Sequence, residues 1–150
     1  MSTGGHTIND YLNVIRNNYA NFTGRARRRE YWMFALINAI VTFLLAGLMA
    51  TGGLNLFVPF DPSNPPTVSV VGWLFFAVYT IYNLAVFVPS LAVAVRRLHD
   101  TDKSGWMFLL ILIPFIGSII LLVFFVTDSK PGANRWGQNP KGLQAPAKAF

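Results

Sequence analysis

The side chains of this 150-residue chain with most scope for chemistry fall in two short polar blocks. In the second block His99, Asp100 and Asp102 bring an imidazole and two carboxylates within four positions. Such a set raises metal ligation or general-base chemistry. Neighbours on a helix diverge by about 100°, so His99 and Asp100 do not aim at one point. The other histidine, His6, is remote in the chain, and there is no cysteine, which removes disulfides, thiolate metal sites and a cysteine nucleophile. The expectation is therefore no catalytic residue, no metal and no cofactor. His99, Asp100 and Asp102 are read as caps and ion-pair partners.

The arginines make a second candidate. Arg25, Arg27, Arg28 and Arg29 precede the first apolar segment, and Arg96 and Arg97 end the second. A guanidinium matches phosphate bidentately, so the six could hold a phosphate-bearing lipid headgroup. The plainer reading is a set of anchors and ion pairs that fix topology. Glu30 stands in the first turn of a helix, where the dipole favours an anion, and could pair with Arg96 or Arg97. Only Glu30, Asp100 and Asp102 are near enough to neutralise the six arginines, which leaves positive charge over.

The elements that must position these blocks belong in a bilayer. Hydrophobic residues make up 53% of the chain and charged residues 12%, against about 25% charged in ordinary soluble domains. Residues 31–60, 62–95 and 104–127 contain no charged side chain except Asp61 between the first two. A spanning helix takes about 20 apolar residues. The reading is an all-α membrane protein, one membrane domain over residues 1–150. Transmembrane helices are expected over 29–50, 70–97 and 105–126, and the N-terminus is expected to be retained. Ile8, Tyr11, Leu12, Ile15, Tyr19 and Phe22 share one helical face, which predicts an amphipathic helix over 8–22. Such a helix packs on the protein's own loops, lies in the membrane interface, or both. Residues 128–150, rich in Pro, Gly, Asn, Lys and Ala, are expected to form a flexible tail. Residues 54–66 hold four prolines and are expected to form an exposed loop.

Charge then sets orientation. Residues 51–69 have no Lys or Arg, whereas residues 25–29 and 96–103 are basic, which places the N-terminus in the cytoplasm. Three spans send the tail outside, yet it carries Lys130, Arg135, Lys141 and Lys148 against Asp128 alone. Pro114 and Gly117 offer a re-entrant hairpin that would return the tail to the cytoplasm. Freed backbone groups in half-membrane arms must be buried in protein, so a kinked third span is the expectation. No Asp, Glu, Lys or Arg lies mid-span, unlike the usual pattern of ion-coupled carriers. Asn38 and Pro89 fall at similar depth, and Asn38 is expected to satisfy the carbonyl that Pro89 frees.

Four motifs in order carry a family resemblance. They run from Phe22 to Trp32, from Arg96 to Trp106, from Ile113 to Gly117 and from Pro131 to Pro140. Together they resemble the YhaH-like family of small bacterial inner-membrane proteins, a family of unknown function. Trp136 replaces the usual smaller aromatic, Asn139 stands where Asp is common, and the Pro-rich first loop is unusually long. The resemblance implies the bacterial inner membrane and no particular reaction. The function expected is a non-catalytic interaction or accessory protein whose basic cytoplasmic face binds anionic membrane lipid or a protein partner, with homo-oligomerisation open and nucleic acid excluded. The alternative is a subunit of an oligomeric transporter or channel.

Overall fold

A computed structural model describes residues 5–53, 61–63, 65 and 68–142, with side chains from residue 8 onward. The remainder of the first connection and residues 143–150 of the tail lie outside the described set. The described residues form helices α1 (Gly5–Asn17), α2 (Arg28–Thr51) and α3 (Val70–Asp100), a 3₁₀ helix (Gly105–Leu112) and α4 (Ile116–Val126). Among them no strand occurs.

Two of these helices are long and apolar enough to cross a membrane, α2 and α3. At 1.5 Å per residue they are about 36 Å and 46 Å long, against a hydrocarbon core of about 30 Å. They leave large apolar side chains uncovered: Phe43 is 71% and Leu84 69% exposed. In water such a surface would be very costly, and lipid removes the cost.

The chain divides into two compact units, one of Leu36–Phe87 and one of the residues on either side of it. In the smaller unit the end of α2 meets the start of α3 through two glycines. A Cβ on Gly52 would lie 2.2 Å from Gly72 Cα, so neither position admits a side chain. Ser69 ties this junction, its hydroxyl donating to Gly52 O at 3.1 Å and accepting the Gly72 N–H at 3.2 Å. Asn38 Oδ1 accepts the Tyr82 hydroxyl at 2.5 Å, and its Nδ2, the donor expected to satisfy the carbonyl freed by Pro89, has no hydrogen-bond partner.

The larger unit corrects the expected third span. Residues 105–126 are two short arms, not one helix. Ile113 is extended before Pro114, which has no N–H to continue a helix, and Phe115 takes a positive φ of 59°. The arms then fold together: a Cβ on Gly117 would lie 1.7 Å from Leu110 O, so only glycine allows the approach. Eight residues at about 2.0 Å and eleven at about 1.5 Å make arms of roughly 16 Å each, half a bilayer. Both ends of the hairpin are fastened to the end of α3, Lys103 N–H to Leu98 O at 2.9 Å and Lys130 N–H to Asp100 O at 3.1 Å. Backbone bonds close locally along the hairpin, as in Met107 N–H to Ser104 O, Ile113 N–H to Leu110 O and Gly117 N–H to Ile113 O. The hairpin also packs on α3 through Ala94, Leu98, Leu121 and Phe125.

Helix α1 also departs from its predicted bounds of 8–22. It ends at Asn17, where the Asn18 amide turns back to Asn13 O at 3.3 Å, so Tyr19 and Phe22 follow the helix. Its most buried residue is Val14, which the predicted stripe omitted, packed with Ala26, Phe34 and Val93. Tyr11 stacks on Phe34 at 5.4 Å between ring centres. Ile8 is 60% exposed. The buried face is thus centred on Tyr11, Val14 and Ile15, at i, i+3 and i+4.

Candidate functional site

The end of α3 carries Arg96, Arg97, His99 and Asp100, all buried. Asp100 is the hub. Its carboxylate accepts Arg25 Nε–H at 3.0 Å, Arg97 Nη1–H at 2.5 Å and the Ser129 hydroxyl at 2.5 Å. Two guanidiniums and a hydroxyl around one carboxylate satisfy its lone pairs and offset the cost of burying the charge.

Arg25 has no N–H left for a ligand. Beyond Asp100 Oδ1 it donates to Gly132 O at 2.8 Å, Lys130 O at 2.7 Å, Asp100 O at 3.2 Å and, weakly, Gly137 O at 3.5 Å. Arg97 caps the end of α4: it reaches Phe125 O from Nε at 3.2 Å and Thr127 O from Nη2. Trp32 Nε1–H adds to Phe125 O at 3.3 Å and Arg28 reaches Val126 O at 3.1 Å. The last carbonyls of a helix have no partner within it, and here side chains of α2 and α3 supply them.

Arg96 faces elsewhere. Its Nη2 lies 3.0 Å from Glu30 Oε1, an ion pair without hydrogen-bond alignment, and its carbonyl accepts the Ala26 N–H at 3.0 Å. His99 Nδ1 sits 3.1 Å from Gly24 O. A carbonyl can only accept, so Nδ1 is the protonated nitrogen. The ring stacks on Trp136 at 3.6 Å with planes 6° apart. Among the described residues no three of His, Cys, Asp or Glu come together as a metal site.

The tail block reaches this cluster as well, which corrects the expected flexible tail over 128–150. Residues up to 142 are tied down: Asn134 Nδ2–H donates to His99 O at 2.9 Å and Asn139 Nδ2–H to Lys130 O at 3.0 Å. Composition misled because Pro, Gly and Asn mark tight turns as readily as disorder. Ser129, Asn134 and Asn139 were missed as partners. The available signal was the Pro131–Pro140 motif, which composition alone does not weigh.

The six arginines of the candidate headgroup site therefore separate. Arg25, Arg96 and Arg97 are internal, while Arg27, Arg28 and Arg29 are exposed. Around them lie solvent-facing pairs: Arg29 with Asp10 at 2.6 Å, Arg28 with Asp128 at 3.6 Å, Lys130 with Asp102 at 2.6 Å, and Lys141 with Asp128. The Lys130 hydrogen bond holds the Asp102 carboxyl below its ordinary range, and Lys141, then the Ser129 N–H, do the same for Asp128. Such pairs are individually weak. The buried cluster joins chain segments: Arg25 is fully engaged within it, while Glu30 Oε1 and Arg96 Nε and Nη2 are buried without a hydrogen-bond partner. The exposed arginine row is the part able to meet an anion.

Known proteins match the stretch of this chain that holds most of these residues. The family model described as Protein of unknown function (DUF805) matches residues 19–138, a range that holds Asp100 with Arg25, Arg97 and Ser129 and leaves α1 outside. "Inner membrane protein YhaI" of Escherichia coli K12 is 47% identical over 131 residues, covering 87% of this chain and 94% of that protein. "Inner membrane protein YhaH" of the same strain is 44% identical over 137 residues, covering 87% and 95%. No solved structure matches.

Proposed function

Because the chain belongs to the DUF805 family, a membrane family of the bacterial inner membrane whose function is unknown, we propose that it is a non-catalytic accessory protein whose basic cytoplasmic face holds anionic lipid headgroups. In this reading α2 and α3 are the full spans among the described residues. The hairpin of residues 105–126 enters and leaves on one side, and both termini are cytoplasmic. The basic tail then obeys the charge rule that a third span would violate. α1 lies against this face, with its outer side toward the headgroups.

The observation that carries the proposal is the row Arg27, Arg28 and Arg29, exposed at the start of α2 while its neighbours Arg25 and Arg96 are internal. The larger unit bears eleven Lys and Arg against five Asp and Glu among its described residues. Each basic residue at an anionic surface contributes about 1 kcal/mol. Asp100, the most buried acid, is held by two arginines and a serine, an arrangement suited to fixing structure and not to proton transfer.

The test is native mass spectrometry of protein extracted in mild detergent. Arg27→Gln, Arg28→Gln and Arg29→Gln together should lose retained phosphatidylglycerol, and the matching lysine set should recover only part of it, since lysine lacks the bidentate fork. Unchanged retention in the glutamine set overturns the proposal. For orientation, single cysteines at Ser2, Ser63 and Gly142 are treated with a membrane-impermeant thiol reagent in intact cells. Ser63 alone should react. Reaction at Gly142 would restore the third span.

A further inference from the structure

An apolar groove of about 430 Å³ lies between the last turns of α3 and the 3₁₀ helix. Leu91 and Val95 line it from α3, Phe108 and Leu109 from the 3₁₀ helix, and the stacked His99–Trp136 pair from the end of α3 and the tail. Gly105 lets the two elements approach, since a Cβ there would stand 2.8 Å from Val95 Cγ1. Trp106 is 79% exposed and, with the exposed Leu109, extends the apolar lining onto the outer face of the 3₁₀ helix. A cation stands beside the groove: the Arg135 guanidinium lies 4.9 Å from the centre of the Trp136 ring. That side chain is 62% exposed and only loosely paired, 3.9 Å from Asp102.

We propose that this groove seats one acyl chain of an anionic phospholipid, with Arg135 reaching its phosphate. For the headgroup charge the proposal rests on the anionic-lipid reading above. The seat for the chain stands on the groove itself. An apolar lining disfavours an ion or a sugar, because polar groups there would lose water without gaining partners. Its continuity with the outer face of the 3₁₀ helix opens it to lipid. A guanidinium on the flanking aromatic selects an anion over a zwitterion, and Arg suits a phosphate better than Lys. A zwitterionic lipid, or a second copy of this chain, would not use Arg135 in this way.

The probe is the full chain in phosphatidylcholine vesicles containing phosphatidylglycerol with brominated acyl chains, which quench tryptophan on contact. Trp32→Phe, Trp73→Phe and Trp106→Phe together leave Trp136 as the reporter. Brominated phosphatidylglycerol should quench it several-fold more than the same fraction of brominated phosphatidylcholine. Leu91→Phe, which fills the groove, should abolish the quenching, and Leu91→Ala, which leaves it open, should keep it. Arg135→Gln should remove the preference for phosphatidylglycerol but not quenching by either chain. The Arg27, Arg28 and Arg29 glutamine set should lower total phosphatidylglycerol bound and leave the Trp136 preference intact, so the two proposals fail separately. Equal quenching in Leu91→Phe and its parent, or loss in both Leu91 variants, overturns the site. Quenching that appears only when the protein is diluted in lipid makes a second copy the occupant, and overturns it too.

Discussion

Asp100→Asn is the substitution that most directly probes the buried cluster. Asparagine keeps the volume and one acceptor oxygen, so packing is preserved and only the charge is removed. What remains is two guanidiniums, Arg25 and Arg97, whose side chains are 1% and 0% exposed. Removing one partner of a buried ion pair costs about 3–5 kcal/mol, because the other charge is left uncompensated. Here one carboxylate serves two cations, which puts the loss at the upper end of that range. At 1.4 kcal/mol per tenfold, the folded population falls relative to the unfolded by about three and a half decades. Asp10→Asn is the control: it breaks the exposed pair with Arg29, worth at most about 1 kcal/mol. The assay is limited trypsin digestion in mild detergent, read at Arg135 and Lys141 in the clamped tail. Cleavage there follows the open population when opening is fast relative to cutting. Cleavage of Asp100→Asn no faster than Asp10→Asn would refute the assignment of Asp100 as the hub.

Other consequences follow from the same geometry. Gly117→Ala should destabilise by about 1–3 kcal/mol or more, since the new Cβ meets Leu110 O; thermal unfolding in detergent checks it, with Gly47→Ala, where nothing lies within 4 Å, as the harmless counterpart. Val14→Asp should strip hydrogen-exchange protection from α1 while Ile8→Asp leaves it, because only Val14 is buried; equal protection in the two would mean α1 does not dock through this face. Asp102 and Asp128 have carboxyls held below their ordinary range, so the stability they lend the tail is fully present above the usual carboxylate pKa and is lost as pH falls through the lowered values. Tail release, followed by tail amide exchange, should therefore be flat from neutral pH down to about 4 and rise only below it.

Much of the protein is legible in one dimension. Uncharged stretches of the length of α2 and α3 require a bilayer, because a chain with 12% charged residues cannot cover itself in water. The motif blocks at Phe22–Trp32, Arg96–Trp106 and Pro131–Pro140 carry the family. What pattern could not separate was arginine from arginine. Arg25 and Arg27 are two positions apart with the same side chain, yet one lies internal against Asp100 and the other is exposed. The difference arises from residues more than a hundred positions downstream, whose carbonyls at Lys130 and Gly132 complete the shell around Arg25. The same holds for the hairpin. Pro114 marks a break in residues 105–126, but a break permits a kinked span as well as a return. Gly117 against Leu110, and the ties of Lys103 and Lys130 to the end of α3, fold the two arms back together. Composition determines the solvent a segment prefers, whereas burial of a charge and the direction of a chain depend on partners that folding alone brings together.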